Sequence, residues 1–435
     1  MASFSKQYYT INDPDKLIEF INGELKPKKK EKNENGEVFT PLSLVNEMLD
    51  KLDEAYIKEH GKSIFTEDGF KWLEPTVGIG NFPIIVYQRL MKGLKIQNEE
   101  ERKKHILEQM IYSAELTPKN VFIYKNIFCG DKYKLNIYQG DTLKMDMKKE
   151  FKLPDDFVGF DVIIGNPPFQ IEQQGKRKGG YGGRTLWDKF VIKSLDLLVE
   201  NGYLCFITPS SWRKPENKLY KLMTKQNQLV NLHIISKKKS KQLFDVSQRV
   251  DLYIIQKQEP TKNTAIIDEL DNSIELDVTK WAFLPNYEFD NIKKIMTTEE
   301  DGIKIIYDRT IYGTDKTNMR SKQTEKYKYP IVHCINKDGL VFWYTDDKTK
   351  GHFGIPKVLL NFNEQQYPVN DYDGKYGMSQ LTFGIPITSK KQGDDIVKAI
   401  NSDEFKEIIK ATKWGAFQTY WRMFKYFKPD FTSIF

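Results

Sequence analysis

Seven short apolar segments, separated by stretches with helical periodicity, limit what residues 70–257 of this chain can fold into. The predicted strands are residues 71–73, 111–114, 136–138, 160–164, 202–207, 229–235 and 250–256. Helical patterns at 82–92, 118–128 and 186–198 lie between them. Alternating strands and helices predict an α/β fold, in which helices wrap a mostly parallel sheet. Ligands of such sheets bind outside the carboxyl ends of the strands.

The flanking regions differ from this alternating part. Residues 1–35 are polar and predict an N-terminal arm, either a weak helix or an extended segment over 1–22, followed by a mobile linker. After about Pro260, turns and aromatic residues become frequent, which predicts an irregular α+β domain. We therefore expect an arm and linker over 1–35, an α/β domain over 36–258 that opens with a helix at 41–60, and an α+β domain over 259–435.

Composition excludes several classes of protein. The chain has no run of the roughly 18–20 apolar residues that a membrane helix needs, and its first residues lack the apolar core of a signal peptide. The three cysteines lack CxxC spacing and predict buried thiols in a reducing compartment, hence a cytoplasmic protein without membrane contact. The five scattered histidines complete no zinc site, so we expect no metal.

The net charge of +7 is unevenly distributed. Residues 1–255 hold 41 basic and 34 acidic residues, whereas residues 256–435 hold 26 of each. The excess permits a polyanionic partner such as nucleic acid, although a well-solvated lysine-rich surface explains it equally well. Nucleic-acid contacts in the C-terminal part would have to come from local patches, for example residues 322–328 or 422–428.

Acidic residues follow three successive predicted strands. Glu74 precedes a turn that contains Gly78 and Gly80, where the backbone and the next helix N-terminus can approach a ligand closely. Glu115 ends the second strand, where an acid can accept both hydroxyls of a ribose. Asp141 follows the third and can accept from an exocyclic amine. Each feature alone is equally typical of a tight turn or a cap. Together they predict a pocket for an adenosine-bearing cofactor.

The fourth predicted strand ends in Asn166-Pro167-Pro168-Phe169. Two prolines fix a rigid turn that has no N–H at either position. The Asn166 side-chain oxygen and the Pro167 carbonyl are then two acceptors aimed into the cleft, a pair that suits a planar NH₂ group. Phe169 offers a stacking face. An ordinary Pro-Pro turn is the alternative, which the three upstream acids disfavour.

With these motifs, the chain resembles the S-adenosylmethionine-dependent DNA adenine-N6 methyltransferases. It is most similar to the group of type II restriction–modification systems in which a target-recognition domain follows the catalytic domain. The resemblance covers residues 35–257. It implies a Rossmann-like methyltransferase sheet wrapped by helices, an α+β target-recognition domain after it, and a site-specific adenine methyltransferase that binds S-adenosylmethionine and double-stranded DNA.

The resemblance also implies roles for individual residues. Residues 36–41 match a motif in which Phe39 and Thr40 border the methionine end of the cofactor. The other implied cofactor-binding positions are Glu74, Thr76, Gly78, Gly80, Glu115, Asp141 and Asn166. Residues 166–169 match the catalytic tetrapeptide, and Phe244 matches an aromatic residue that packs on a flipped base.

The segment 175–184 departs from the family because it is unusually rich in glycine and basic residues. We expect this loop to close on nucleic acid and to contact phosphates through Lys176, Arg177, Lys178 and Arg184. A solvated flexible connection is the alternative. A smaller departure is Thr76-Val77, where many relatives have small residues or cysteine. After residue 257 the resemblance is much weaker.

The implied mechanism is a direct transfer. The adenine would be flipped out of the duplex and held by stacking on Phe169 and Phe244. Asn166 and the Pro167 carbonyl would accept hydrogen bonds from N6 and stabilise the charge that develops there. Neither a nucleophilic cysteine nor a metal is needed.

Several alternatives stay open. RNA adenine and protein glutamine methyltransferases use the same Asn-Pro-Pro-aromatic motif, because their substrates present an NH₂ group to the same acceptors. A non-catalytic DNA-binding subunit of a modification complex could also keep this fold. No nuclease cluster is recognisable, which disfavours a fused restriction enzyme, whereas a separate cognate endonuclease is compatible with the sequence. The residue usage fits an AT-rich bacterial genome, or a virus acting in its host cell.

Overall fold

The computed structural model of the protein describes residues 9–24, 40–171, 184–307, 319–415 and 419–435, and it divides into two compact units. The first unit comprises residues 1–210 and 221–279, and the second comprises residues 211–220 and 280–435. The chain therefore passes between the units at three points. Within the described ranges, no helix combines the length and the apolar character that crossing a membrane requires.

The first unit is built from helices and strands that alternate along the chain. Its helices are α1 (Pro14–Glu24), α2 (Leu42–His60), α3 (Asn81–Gly93), α4 (Glu99–His105), α5 (Pro118–Ile127), α6 (Met147–Phe151), α7 (Trp187–Leu197), α8 (Lys218–Thr224, which contains one of the junctions) and α9 (Lys237–Phe244). Its strands are β1 (Trp72–Glu74), β2 (Ile111–Glu115), β3 (Asn136–Gln139), β4 (Phe160–Gly165), β5 (Gln170–Ile171), β6 (Arg184–Thr185), β7 (Leu198–Pro209), β8 (Gln228–Ile235), β9 (Val250–Gln256), β10 (Thr264–Ile267) and β11 (Ser273–Leu276).

Nine of these strands form one sheet in the order β11-β10-β8-β9-β7-β4-β1-β2-β3. The pairs β1–β2, β2–β3, β1–β4, β4–β7 and β8–β10 are parallel, whereas β9 is antiparallel to both its neighbours and β11 is antiparallel to β10. The strand order reverses at β1, since β2 and β3 add on one side and β4 on the other. A sheet of this kind binds ligands at such a reversal.

The core of the first unit packs helices against the sheet. Strands β4 and β9 are buried almost throughout, which explains their nearly continuous apolar runs. The buried residues of α2 recur at helical spacing: Leu42, Leu44, Val45, Met48, Leu49, Leu52 and Tyr56. This helix therefore places one apolar stripe in the core, and Thr40, two residues before its start, is buried as well.

The predicted α/β fold class is confirmed, and the differences lie at the edges. Strands β10 and β11 extend the sheet to Leu276, past the boundary predicted at 258, through the pairing of Ala265 with Asn231. They escape detection because this edge hairpin is only half-buried and its two strands are only four residues long. Part of the predicted arm is helix α1, whose Leu17 and Ile21 are buried in the core. The predicted linker falls largely on residues outside the described ranges.

The second unit is an α+β arrangement, as predicted. Strands β12 (Tyr329–Asn336), β13 (Gly339–Thr345) and β16 (Gly377–Met378) form one sheet, and β14 (Lys357–Asn361), β15 (Val369–Asp371) and β17 (Thr382–Pro386) form another. Its helices are α10 (Phe289–Ile295), α11 (Lys390–Asn401) and α12 (Asp403–Ala411). Fully buried Phe383, Phe405, Phe424 and Phe427 make ring contacts with centroids 5.2–6.1 Å apart.

A buried arginine fastens the segment 211–220 to the rest of the second unit. The Arg213 side chain is 0% exposed and donates hydrogen bonds to the carbonyls of Leu284 and Pro285, at 3.0 and 2.6 Å. It also donates to Oδ1 of Asn286 at 2.8 Å. A planar guanidinium can serve three acceptors at once, which a lysine ammonium on a flexible stem does less well.

We expect Arg213→Ala to destabilise the second unit strongly. Each buried acceptor left without a donor costs about 1–3 kcal/mol, and Arg213→Lys should cause a smaller loss. Differential scanning calorimetry of the full chain measures the effect, with Lys398→Ala on the exposed side of α11 as the control. An Arg213→Ala protein that melts like the control would contradict this role.

Candidate functional site

Three strand ends with polar residues meet where the strand order reverses. Glu74 ends β1, Glu115 ends β2, and Asn166 directly follows β4. Because β1 is hydrogen-bonded in parallel to both β2 and β4, these three residues lie at the same edge of the sheet. The structure thus brings together positions that are 92 residues apart in the sequence.

The turn after β1 is held by the end of β2. The N–H of Val77 donates to the carbonyl of Ala114 at 2.9 Å, and the N–H of Gly78 donates to Oε2 of Glu115 at 2.8 Å. Gly78 and Gly80 have φ angles of +56° and +104°, which favour glycine. A Cβ atom at Gly80 would also lie 2.9 Å from Cε2 of Phe128. This turn therefore requires glycine at position 80 for two independent reasons.

Glu115 is buried and fixed by backbone donors. Its Oε1 accepts from the N–H of Thr117 at 2.7 Å, while Oε2 accepts from Gly78. Burial raises the pKa of this carboxyl, and the hydrogen bonds from Thr117 and Gly78 oppose that rise. A carboxylate offers about four lone-pair sites, so each oxygen can still accept from a ligand hydroxyl.

Glu74 is the acid of the site whose burial is offset least by hydrogen bonds. Its side chain is buried, and Oε2 has no hydrogen-bond partner among the described residues. Burial first, and then the charge of Glu115, raise its pKa well above the ordinary value. The hydroxyl of Thr76, two residues further on, is also buried without a partner. A buried carboxylate in this state favours a positively charged ligand group.

Asn166 is oriented by the segment before α2. Its Nδ2 donates to the hydroxyl of Thr40 at 3.2 Å, while Oδ1 is buried without a partner among the described residues. The Thr40 carbonyl accepts from Nδ2 of Asn81 at 2.8 Å, so Thr40 joins the turn after β1 to the end of β4. Pro167, next in the chain, is buried. The side-chain oxygen of Asn166 is therefore an acceptor held in place with free capacity.

The Asp141 segment forms a capped turn. Oδ1 of Asp141 accepts from the N–H of Leu143 at 3.0 Å, and Oδ2 pairs with exposed Lys144 at 3.2 Å. The hydroxyl of Thr142 donates to the Pro75 carbonyl at 2.7 Å, which ties this turn to the one after β1. The turn-capping alternative for Asp141 is thus present in the structure, beside the glycine-containing turn.

The remaining predicted residues fall in different places. Phe169 is half-buried, whereas Phe244 ends α9, is 3% exposed and belongs to the hydrophobic core. The structure describes Arg184 only as backbone in β6, which pairs with β5. Phe39, Lys176, Arg177 and Lys178 lie outside the described residues. The roles assigned to these residues stay predictions.

Two residues near the site were not singled out from the sequence. Leu116, which directly follows Glu115, is 59% exposed, and an apolar residue next to a strand-end acid could have signalled a surface for a flat ring. Lys193 of α7 donates to the carbonyls of Leu143 and Met145, at 3.2 and 3.1 Å. Burial lowers the pKa of Lys193. No local sequence pattern identifies this contact, since 48 residues separate Lys193 from Met145.

The strand order and the site at its reversal define a Rossmann-like methyltransferase fold. The chain is similar to a nuclease-deletion mutant of the Type ISP restriction-modification enzyme LlaGI, with a TM-score of 0.51 and 12% identity over 85% of this chain and 44% of that one. It is also similar to the Type IIL restriction-modification enzyme MmeI, with a TM-score of 0.50 and 13% identity over 90% of this chain and 67% of that one. At these identities the similarity establishes the fold.

The sequence comparisons show which proteins the central segment is similar to. Residues 89–244 match the Eco57I restriction-modification methylase family. An uncharacterized adenine-specific methylase of Mycoplasma pneumoniae is 28% identical over an alignment of 243 residues that covers 41% of this chain and 56% of that protein. The type II restriction enzyme and methyltransferase RM.Eco57I of Escherichia coli is 24% identical over 51% of this chain and 28% of its own length.

The resemblance to restriction–modification methyltransferases drawn from the motifs is therefore confirmed, and the match to the Eco57I methylase family covers residues 89–244. The matched segment contains Glu115, Asp141, residues 166–169 and Phe244, and it begins after the glycine-containing turn. The chain spans about half or less of the length of these curated relatives.

We expect Glu74→Gln to stabilise the protein when no cofactor is bound. Because the folded-state pKa of Glu74 is raised, the unfolded state releases this proton more readily, and the wild type loses stability as pH rises above about 4.5. The variant should lack this loss and melt about 2–4 °C higher at pH 8, as expected for about 1 kcal/mol. Thermal melts from pH 5 to pH 8 measure it.

Exposed Glu101→Gln on α4 is the matched control and should follow the wild type. A Glu74→Gln protein with the wild-type pH slope would show that Glu74 carries no uncompensated charge.

Proposed function

We propose that this chain transfers a methyl group from S-adenosylmethionine to the N6 amino group of an adenine in duplex DNA. The observation that carries the proposal is Asn166, whose Oδ1 is a buried acceptor without a partner among the described residues. Its Nδ2 is anchored on Thr40, so the acceptor cannot turn away without losing that hydrogen bond. A methylase family match to the segment that contains Asn166 supports the assignment.

The residues around β1 fit the proposed cofactor. The unpartnered carboxylate oxygen of Glu74 suits the ammonium of its methionine part, and Glu115 suits its ribose hydroxyls. Exposed Leu116 offers apolar surface for its adenine ring. When bound, S-adenosylmethionine supplies an electrophilic methyl group on a sulfonium. Glycine at position 80 keeps the turn compact where this ligand would approach.

The chemistry at Asn166 is hydrogen-bond acceptance. The lone pair of an adenine amino group is normally delocalised into the ring. Oδ1 of Asn166 and the Pro167 carbonyl would each accept one N–H of that group, which favours a more tetrahedral nitrogen and stabilises the positive charge that develops on it. Because Thr40 and the sheet fix Asn166 beforehand, little reorganisation accompanies the reaction.

The choice of duplex DNA rests on the relatives. One is named an adenine-specific methylase, another joins a type II restriction enzyme and a methyltransferase in one name, and the fold is similar to that of MmeI solved in complex with DNA. The target adenine would be flipped out of the helix, with Phe169 as a stacking surface. The functional partner would be a cognate restriction endonuclease, and methylation would protect the DNA from cleavage by it.

Labelled methyl transfer to unmodified duplex DNA, followed by nucleoside mass spectrometry, tests the proposal. N6-methyladenine in the digest is the expected result. Methyl label in RNA or on protein glutamine, with DNA unlabelled, would replace the proposed substrate. A protein that binds S-adenosylmethionine and labels none of these would contradict the proposed activity.

We expect Asn166→Ala to lower kcat by about 10²–10³-fold, the loss seen when one preorganised hydrogen-bonding group is removed from an active site. Affinity for S-adenosylmethionine, measured by isothermal titration calorimetry, should be unchanged. Thr40→Val keeps the acceptor but removes its anchor, so it should lower kcat less, and Thr40→Ser should restore it. An Asn166→Ala protein with wild-type turnover would exclude Asn166 from catalysis.

A further inference from the structure

Two neighbouring tyrosines of the second unit each make cation–π contacts with two basic side chains. The guanidinium of Arg320 lies 4.7 Å and the ammonium of Lys326 lies 5.4 Å from the ring centroid of Tyr327. Around Tyr329, at the start of β12, the ammonium groups of Lys328 and Lys348 lie 5.4 and 4.6 Å from the centroid. We call these six residues the tyrosine–cation surface. All four cationic side chains are exposed.

The positive charge of this surface is only partly neutralised. Lys326 pairs with Asp346 at 3.6 Å, whereas Lys328 and Lys348 form no ion pair with any carboxylate of the described residues. Both ammonium groups lie near the centroid of the same tyrosine ring, which limits their separation to a distance comparable with the Debye length of about 8 Å at physiological salt. Their like charges therefore repel each other. The tyrosine ring offsets part of that repulsion, and a bound anion would offset the rest.

The sequence around this surface carries an excess of positive charge. Residues 320–350 hold seven basic and four acidic residues, whereas the whole segment 256–435 has equal numbers of each. The excess positive charge is thus concentrated where the tyrosines hold their cations. Single exposed lysines are ordinary on a protein surface, whereas basic residues clustered on one face are typical of nucleic-acid contact surfaces.

The second basic patch of this unit, residues 422–428, differs because two of its cations form ion pairs with carboxylates. Arg422 pairs with Glu216 at 2.9 Å, and Lys425 pairs with Glu216 and Glu299 at 3.2 and 3.0 Å. Its carboxylates already neutralise these cations within the unit. Lys428, the third cation of this patch, donates to the carbonyl of Lys294 at 2.7 Å. Among the described residues, the tyrosine–cation surface therefore holds more cations without a carboxylate partner than this patch does.

We propose that the tyrosine–cation surface is the part of the second unit that binds the phosphate backbone of the duplex DNA substrate. This proposal rests on the proposed function and adds the location of a DNA contact to it. Lys328 and Lys348 neutralise phosphates, while Tyr327 and Tyr329 fix the positions of the cations. Contacts of this kind position the protein on the duplex without reading the bases.

Binding of the full chain to a fluorescent duplex of mixed sequence, measured by anisotropy over a series of salt concentrations, tests the location. Each neutralised phosphate contributes about −0.9 to the slope of log K against log salt. Lys328→Glu/Lys348→Glu should therefore reduce the magnitude of the slope by about 2 and weaken binding at low salt by about tenfold or more. Lys328→Gln/Lys348→Gln should give the same slope with a smaller loss of affinity.

The matched control reverses two charges elsewhere in the same unit. Lys391→Glu/Lys398→Glu on exposed positions of α11 makes the same change in net charge and should leave slope and affinity close to wild type. Titration with S-adenosylmethionine should give the wild-type affinity for every variant.

Three results would overturn the proposal in distinguishable ways. A wild type that methylates and binds DNA, with Lys328→Glu/Lys348→Glu equal to the control, rejects this surface and leaves the proposed function standing. A wild type that neither binds duplex DNA nor methylates it rejects both. Tighter binding to an RNA hairpin than to the duplex, lost in the double variant, would keep the surface but replace its partner, which contradicts the proposal as stated.

Discussion

The site depends on one constraint, the position of β1 between β2 and β4. This arrangement brings three polar strand ends to one edge, and the carboxylate of Glu115 then fastens the turn after β1 through the N–H of Gly78. Thr40 adds a second fastening, to Asn166. Because these contacts join distant parts of the sequence, the site forms only together with the sheet. The Glu74 and Asn166 oxygens that have no hydrogen-bond partner among the described residues are therefore fixed before any ligand arrives, which is the condition for electrostatic preorganisation.

Much of this arrangement is predictable from the sequence, because buried parallel strands are short apolar runs with abrupt polar ends. Strand β9 has the predicted bounds, β2, β3, β4 and β8 are each one residue longer than predicted, and β1 is displaced by one residue. Strand β7 begins four residues earlier and ends two residues later than predicted. The change from apolar to polar residues also identifies the ends of the strands. Apolar runs stop at Glu74, Glu115 and Asn166. Parallel pairing then forces them to one edge, so their proximity follows from fold class alone.

The rest is not predictable from local patterns, for identifiable reasons. The edge hairpin β10–β11 is half-exposed and consists of two four-residue strands. Whether a strand-end acid is capped or unpaired depends on which N–H groups the fold brings to it: Glu115 receives two, and Oε2 of Glu74 receives none. The same reasoning separates the two basic patches of the second unit, since the acids that neutralise Arg422 and Lys425 come from distant positions in the chain.

The membership of residues 211–220 in the second unit has a consequence for how this protein is made and re-engineered. During synthesis, Arg213 emerges long before the carbonyls of Leu284 and Pro285 that receive its hydrogen bonds. The side chain of Arg213 therefore lacks these hydrogen-bond acceptors until the C-terminal region has left the ribosome. For the same reason, an exchange of C-terminal regions between homologous chains cannot be a single cut at residue 280. An exchange that preserves the contacts of Arg213 has to include residues 211–220 together with residues 280–435. A nuclease or tag fused at residue 279 in place of the C-terminal region would separate these two parts of the second unit.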